Sequence, residues 1–202
     1  MNVVVKENKV SPDSAGKNVS LYSRNGRRKY INEEERRRVI ENAKRMDFGE
    51  YIFLLSLIFL GVRISEALAL RGNDIQFEEG VISVRCLKKR GAVIIRELPA
   101  PPYLLEALQT LANERGDPEA KLWSWSRVSA WRIVKAVLEA SDVHGDQAMP
   151  KGFRHGFGVH AIRRGVPLDL VQRWLGHADI STTAIYTQVM GPEERAIAAR
   201  MW

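Results

Sequence analysis

Cysteine is nearly absent from this 202-residue sequence, because Cys86 is the only one. One thiol excludes a disulfide framework and a multi-cysteine metal site, and it is typical of a chain kept in a reducing cytoplasm. Long apolar runs are also missing: the longest, from Tyr51 to Val62, is too short to cross a bilayer. The N-terminus carries no apolar stretch that resembles a signal peptide. We therefore expect a soluble cytoplasmic protein without a membrane segment.

Motifs for metal-dependent and nucleotide-dependent chemistry are missing as well. Asp74, Glu78 and Glu79 cluster beside a predicted strand and turn, and do not form the convergent carboxylates of a two-metal nuclease. His155 and His160 are five residues apart, a spacing that does not stack two metal ligands on one helix face. The sequence also lacks a phosphate-binding loop ending in Lys-Ser/Thr and a Gly-x-Ser-x-Gly elbow. We predict that the protein uses neither a metal nor another cofactor.

The net charge of +7 is concentrated at the N-terminus. Seven Lys and Arg side chains and two acidic ones lie within residues 1–30, so this segment holds +5 and leaves +2 for residues 31–202. The segment is polar and shows no periodicity, which predicts a flexible basic tail over 1–30 ahead of a folded domain over 31–202. A basic tail can bind nucleic acid or simply remain solvated, so this charge does not identify a function.

The rest of the chain is predicted to be mainly α-helical. Asn32 and Glu35 form a capping-box pattern for a helix that runs to about Met46. A second helix over about 50–60 is apolar nearly all round and should be buried, and a new helical start follows at Arg63. Further helices are predicted at about 102–113, 126–140, 153–164, 167–174 and 182–189, with a short C-terminal helix at about 191–202.

Residues 74–99 change to the period of a β-strand. Two β-branched, roughly alternating segments, 81–87 and 93–98, flank a basic turn that contains Gly91. This pattern predicts a β-hairpin with a charged tip. The predicted fold class is therefore α+β, a mainly helical domain with a small antiparallel sheet.

Three cations beside apolar segments are candidates to bind an anion. Arg63 follows the apolar second helix, and burying its guanidinium is costly unless an anion or a carboxylate accompanies it. A salt bridge to Glu66, three residues on, is the structural explanation. Lys151 and Arg154 are three residues apart, so they share a helix face and can reach one anion together. The alternative is that both are solvated cations at a helix start.

Tyr186 lies on the apolar face of a predicted helix. Thr182, Ile185, Tyr186 and Val189 follow the helical spacing i, i+3, i+4 and i+7. Taken alone, this spacing predicts a core tyrosine. The order of the surrounding motifs suggests a second interpretation of Tyr186, as a functional residue.

That order is Val62-Arg63-Ile64-Ser65-Glu66, a lysine at the hairpin tip, Lys-x-x-Arg-His, Leu-Gly-His, and a tyrosine nine residues after that histidine. Over roughly residues 30–190 it resembles the tyrosine recombinase, or phage integrase, family. The segment from Gly152 to Tyr186 is highly specific, because several independent spacings agree.

The resemblance implies a catalytic set at matching positions. Arg63 and Arg154 match the two arginines that hold the scissile phosphate, His177 matches the histidine of Leu-Gly-His, and Tyr186 matches the nucleophile. The hairpin lysine, which protonates the leaving oxygen, falls on Lys88, with Lys89 as the adjacent alternative. Lys151 stands where the family usually has histidine, and lysine occurs there in some members.

The resemblance also implies a function: a site-specific recombinase that cleaves and rejoins double-stranded DNA through a 3′-phosphotyrosyl intermediate, without metal or ATP. It implies two kinds of partner, double-stranded DNA and further copies of the chain in a synaptic tetramer. It also implies that the protein is located in the cytoplasm near the nucleoid. The C-terminal helix would pack on a neighbouring copy or on its own core. Two alternatives stay open: a topoisomerase-like nicking and resealing enzyme, and a catalytically silent DNA-binding regulator. Lys151 and the lack of a separate DNA-clamping domain before residue 30 motivate the regulator.

Overall fold

The computed structural model describes residues 20–86, 94–189 and 192–201. The helices in chain order are α1 (Glu33–Ala43), α2 (Phe48–Leu60), α3 (Ile64–Ala67), α4 (Pro102–Arg115), α5 (Arg127–Ala140), α6 (Pro150–Arg163), α7 (Leu168–Leu175), α8 (Ser181–Ala184) and α9 (Pro192–Ala198). The strands are β1 (Ile75–Gln76), β2 (Val81–Cys86) and β3 (Ile94–Pro99), and two 3₁₀ helices span Gly72–Asp74 and Ile185–Gln188. No helix in these ranges is long and apolar enough to cross a membrane.

The first helix begins as the capping pattern predicts. The Asn32 side chain accepts a hydrogen bond from the Glu35 backbone N–H at 2.8 Å, and the Glu35 carboxylate accepts one from the Asn32 N–H at 3.0 Å. Two backbone donors that a helix start leaves unpaired are thus satisfied. The helix ends at Ala43, three residues before the predicted end.

The apolar helix α2 is buried along most of its length, as predicted. It ends at Gly61, which adopts the left-handed conformation with φ of 60° and so allows the chain to turn sharply. Arg63 is extended and immediately precedes α3. This turn brings the Gly61 carbonyl and the Arg63 side chain to the same edge of the core.

The three strands form one antiparallel sheet in the order β1-β2-β3. The predicted hairpin is present in β2 and β3, with Val84 opposite Arg96 and Ile82 opposite Leu98. All four of these side chains are buried, so one face of the hairpin packs against the helices. The hairpin tip, residues 87–93, lies outside the described residues.

Helix α6 runs between two apolar cores. Phe153 belongs to the larger core, which contains α2 and the sheet, whereas Val159 belongs to the smaller one around α7 and the second 3₁₀ helix. The helix begins three residues before its predicted start, because Pro150 occupies the first helical position, where proline needs no hydrogen-bond donor. A Cβ on Gly156 would lie 2.6 Å from the Ile31 carbonyl oxygen, so this helix approaches its neighbour very closely.

Residues 20–30 pack against the folded body, and the prediction of a tail is wrong for them. Leu21 and Tyr30 are buried in the smaller core. Arg28 forms a bidentate ion pair of 2.6 and 2.8 Å with the capping carboxylate of α1. The polar composition of residues 20–30 predicts a flexible segment, because the two apolar side chains that anchor it, Leu21 and Tyr30, are isolated among polar residues. For residues 1–19, which lie outside the described residues, the basic tail remains a prediction.

Candidate active site

Glu66 is the buried anion at the centre of the candidate site. Its carboxylate accepts hydrogen bonds from Arg63 Nη1 at 2.7 Å and from the Arg63 backbone N–H at 2.8 Å. The side chain of Arg63 stays 30% exposed, whereas that of Glu66 is 1% exposed. Burial alone would raise the pKa of Glu66, but its hydrogen bond and charge interaction with Arg96, with a contribution from Arg63, lower it. The predicted salt bridge is therefore present, and it leaves Arg63 accessible.

Arg154 is almost fully buried beside this ion pair. Its guanidinium donates to the Gly61 carbonyl oxygen at 2.8 Å and to the Leu175 carbonyl oxygen, and it lies 3.9 Å from Glu66. Burial is the main cause that lowers the pKa of Arg154 to about 10, and the nearby Arg63 charge adds to the effect. The residue is thus a cation held rigidly from two sides, and not the solvated alternative.

Tyr186 lies in the second 3₁₀ helix, and only 1% of the residue is exposed. Its ring packs on the backbone of α6, where a Cβ on Gly158 would lie 2.6 Å from it. Burial raises the pKa of Tyr186 to about 12, although the charges of Arg154 and Arg63 partly oppose this rise. The hydroxyl is therefore protonated at neutral pH and needs a proton acceptor before it can act as a nucleophile.

His177 follows the turn that ends α7 and stacks on Tyr186, with ring centroids 6.3 Å apart and planes inclined by 17°. Its Nδ1 is 2.9 Å from the Thr183 hydroxyl oxygen, which fixes the ring. Burial, followed by the charges of Arg154 and Arg63, lowers the pKa of His177 to about 3. The ring is consequently neutral at physiological pH.

His155 also belongs to the site, although the motif spacings predict no role for it. Its Nδ1 lies 3.2 Å from the Tyr186 hydroxyl oxygen, and its Nε2 is buried without a hydrogen-bond partner among the described residues. Burial is the main cause that lowers the pKa of His155 to about 4, with Lys151 and Arg154 contributing. Its position directly after Arg154 was visible in the sequence, but no spacing indicated a contact across 31 residues.

The structure describes one of the two predicted site lysines, Lys151, whereas the hairpin lysine lies outside the described residues. Lys151 is exposed in the first turn of α6, on the side of the helix that faces the site. Lys88 and the alternative Lys89 lie outside the described residues. The strand that leads to them ends at Cys86, which lines a depression together with Arg63 and His177.

An open cavity of about 860 Å³ joins these side chains. Five of the six predicted site residues line it, together with His155: Arg63, Lys151, Arg154, His177 and Tyr186. Arg127, Trp131 and Lys135 of α5 also line the cavity. In the part of the chain that the structure describes, no group of three or more His, Cys, Asp or Glu side chains could hold a metal ion. The cavity thus combines fixed cations, neutral imidazoles and a phenol, a set suited to a phosphodiester.

Comparisons with known proteins identify the family to which the chain belongs. The family model described as "Phage integrase family" matches residues 29–191. Tyrosine recombinase XerA of Pyrococcus furiosus is 33% identical to the chain over 170 residues, which is 80% of this chain and 57% of that protein. The chain therefore spans only a little over half the length of this relative.

Solved structures confirm the predicted α+β fold. The crystal structure of XerA recombinase superimposes with a TM-score of 0.74 at 25% identity, and the match covers 85% of this chain and 64% of that one. The structure of the XerH site-specific recombinase bound to difH substrate, a pre-cleavage complex, gives a TM-score of 0.68 at 20% identity. That match covers 90% of this chain and 59% of the other.

Proposed function

Because this chain belongs to the phage integrase family, we propose that it is a site-specific DNA recombinase that cleaves and rejoins strands through a 3′-phosphotyrosyl intermediate. The observation that carries the proposal is the convergence of Arg63, Arg154, His155 and His177 on Tyr186 at one open cavity. These groups supply an anion clamp, uncharged proton acceptors and a nucleophile in one place.

The scissile phosphate is held by Arg63 and Arg154 in this mechanism. Both guanidinium groups are fixed before DNA arrives, the first by Glu66 and the second by two backbone carbonyls. Arginine presents a planar set of donors that matches phosphate oxygens. Charge that builds on the non-bridging oxygens during attack therefore meets preorganised positive charge, the contribution that a divalent ion makes in other phosphoryl-transfer enzymes.

The Tyr186 hydroxyl oxygen attacks phosphorus, and its proton passes to the neutral His155 Nδ1, which lies 3.2 Å away. The bond from phosphorus to the 5′-oxygen breaks as the tyrosyl–phosphorus bond forms. The leaving 5′-oxygen takes a proton from the hairpin lysine, Lys88 or Lys89. A 5′-hydroxyl from another duplex then reverses these steps and releases the tyrosine. One ester replaces another, so the cycle needs no ATP.

The remaining groups have supporting roles in the proposal. His177, held by Thr183, donates to or orients the bound phosphate, and Lys151 adds positive charge at the cavity rim. The partner is double-stranded DNA, on which copies of the chain assemble as a synaptic tetramer close to the nucleoid. Helix α9 is a candidate contact between copies, and residues 31–202 act as the catalytic domain together with the packed segment 20–30.

Strand exchange between two labelled duplexes tests the proposal directly. We expect radiolabel to move from a short duplex to a longer one that shares its recombination site, with and without EDTA. The site is first found by covalent trapping on a library of nicked duplexes. Relaxation of supercoiled DNA without exchange would favour the topoisomerase alternative, DNA binding without a covalent adduct would favour the regulator, and a strict need for a divalent ion would contradict the mechanism.

The pH dependence of cleavage tests the role given to the neutral imidazoles. The pKa of His155 is about 4 and that of His177 about 3, well below the ~6.5 of an ordinary histidine. Both therefore stay uncharged from roughly pH 5 upward, and the second-order rate of adduct formation should vary less than about threefold between about pH 5.5 and 8. Circular dichroism at each pH controls for unfolding. A tenfold fall centred near ~6.5 would contradict the assignment.

A further inference from the structure

Arg96 is a buried cation that the mechanism above does not use. It lies on β3, and only 4% of its side chain is exposed. A guanidinium in such surroundings needs partners for its charge and its donors. Arg96 Nη2 donates to Glu66 Oε2 at 2.7 Å, Nη1 approaches Oε1 at 3.4 Å, and Nε donates to the Trp174 carbonyl oxygen at 2.7 Å. The side chain thus links the sheet to α3 and to α7.

The contact with α7 lies at the turn that carries His177. A helix leaves its last carbonyl groups without partners inside the helix. Here two arginines satisfy consecutive ones, because Arg96 binds the carbonyl oxygen of Trp174 and Arg154 binds that of Leu175. The chain then turns at Gly176, where φ is 63° and a Cβ would lie 3.1 Å from Arg96 Nη1. His177 follows directly, so its position depends on this pair of contacts.

The contact between Arg96 and Glu66 balances the negative charge of the carboxylate that lies beside Arg63 and Arg154. Arg63 and Arg96 bind the carboxylate from two sides, each at 2.7 Å. Without Arg96, the carboxylate would be compensated by Arg63 and by the more distant Arg154, which lies 3.9 Å away. Both would then be engaged by an internal anion in competition with the scissile phosphate.

We propose that Arg96 is a positioning residue for strand cleavage. Through the Trp174 carbonyl it sets the location of His177, and through Glu66 it keeps the donors of Arg63 and Arg154 available for phosphate. Arg96 also connects β3, the strand that follows the hairpin tip, to Glu66 on α3 and to the end of α7. The proposal rests on the recombinase function proposed above.

Arg96→Lys separates the two contacts. A lysine ammonium keeps the charge opposite Glu66, but its three donors share one nitrogen, whereas Arg96 uses Nη2 for Glu66 and Nε for the Trp174 carbonyl. We expect single-turnover adduct formation at saturating DNA to slow by about 10- to 100-fold, the size of effect expected when a reacting group shifts by up to about 1 Å. Arg85→Met is the matched control, because Arg85 lies on the neighbouring strand with a side chain that is 53% exposed. It should change the rate less than about twofold.

A double-mutant cycle distinguishes positioning from general damage to the fold. In a His177→Ala background, Arg96→Lys should slow the remaining reaction by less than about threefold, because the group that it positions is gone. An equal slowing in both backgrounds would overturn the proposal. Arg96→Gln, which keeps amide donors without charge, serves as a second variant if the lysine protein does not fold.

A measurement without DNA keeps this proposal separate from the proposed function. The ¹³C–¹H resonance of the His177 ring should shift in Arg96→Lys and stay unchanged in Arg85→Met. An unchanged His177 resonance in Arg96→Lys would overturn the positioning role. Failure of the wild-type protein to form any adduct would instead contradict the recombinase function, while the resonance still tests Arg96.

Discussion

Tyr186→Phe should form no covalent adduct on a nicked suicide duplex that traps the wild-type protein. The substitution removes the hydroxyl oxygen that the mechanism joins to phosphorus, and no other group replaces it. The ring keeps its packing on α6 and its stack against His177. DNA affinity should therefore change less than about threefold, and the loss of one hydrogen bond to His155 should cost about 1 kcal/mol of stability.

The assay is separation of labelled DNA on a denaturing gel, on which a covalent adduct remains attached to protein. Tyr103→Phe is the control, because it removes a phenolic hydroxyl from a residue of α4 that is 48% exposed and does not line the cavity. It should trap DNA as the wild type does. An adduct of normal yield with Tyr186→Phe would mean that another residue is the nucleophile.

Arg63→Ala and Arg154→Ala should both slow adduct formation by roughly a thousandfold or more, since each removes fixed positive charge from the transition state. Their effects on stability should differ. Loss of Arg154 leaves two buried carbonyl oxygens without donors, and at about 1–3 kcal/mol for each it should lower the free energy of unfolding by about 2–6 kcal/mol. Loss of Arg63, whose side chain is 30% exposed, leaves Glu66 paired with Arg96 and should cost about 1–2 kcal/mol.

Single-turnover trapping and urea unfolding of the same preparations check this pair. Arg37→Ala is the control, because its side chain is 68% exposed on α1 and pairs with Glu34 at the surface. It should affect neither measurement by more than about 0.5 kcal/mol. Cleavage at the wild-type rate by Arg63→Ala or Arg154→Ala would contradict the role of that arginine in holding the phosphate. An equal loss of stability in both variants would contradict the expectation that the more buried arginine contributes more to the fold.

Local signals in the sequence predicted the elements well where a short stretch of chain determines them. The two residues of the capping box, Asn32 and Glu35, are three positions apart. The strands of the hairpin, β2 and β3, are consecutive in the chain. The start of α6 was placed late because the extended residue Met149 and the proline after it carry no apolar periodicity. The predicted tail also covers residues 20–30, because neither the local turn that joins Leu21 to Lys29 nor the burial of Leu21 and Tyr30 has a periodic apolar pattern.

The order of motifs predicts the candidate site residues, whereas the contacts between them are visible only in the folded structure. Nothing near Arg96 in sequence reveals Glu66, which is 30 residues away, or the Trp174 carbonyl, which is 78 residues away. His155 meets Tyr186 only because α6 and the second 3₁₀ helix pack together. Long-range pairs of this kind depend on how the elements pack, and a single sequence does not report that.

The close approaches along α6 limit how this protein can be made more heat-resistant. Replacing helical glycine with alanine is a common stabilising change, worth up to about 1 kcal/mol for each exposed position. On this helix the added methyl group at Gly156 would meet the Ile31 carbonyl oxygen, and at Gly158 it would displace the ring of Tyr186. Stabilising substitutions should therefore leave both glycines unchanged and use the exposed face of α4, which does not line the cavity.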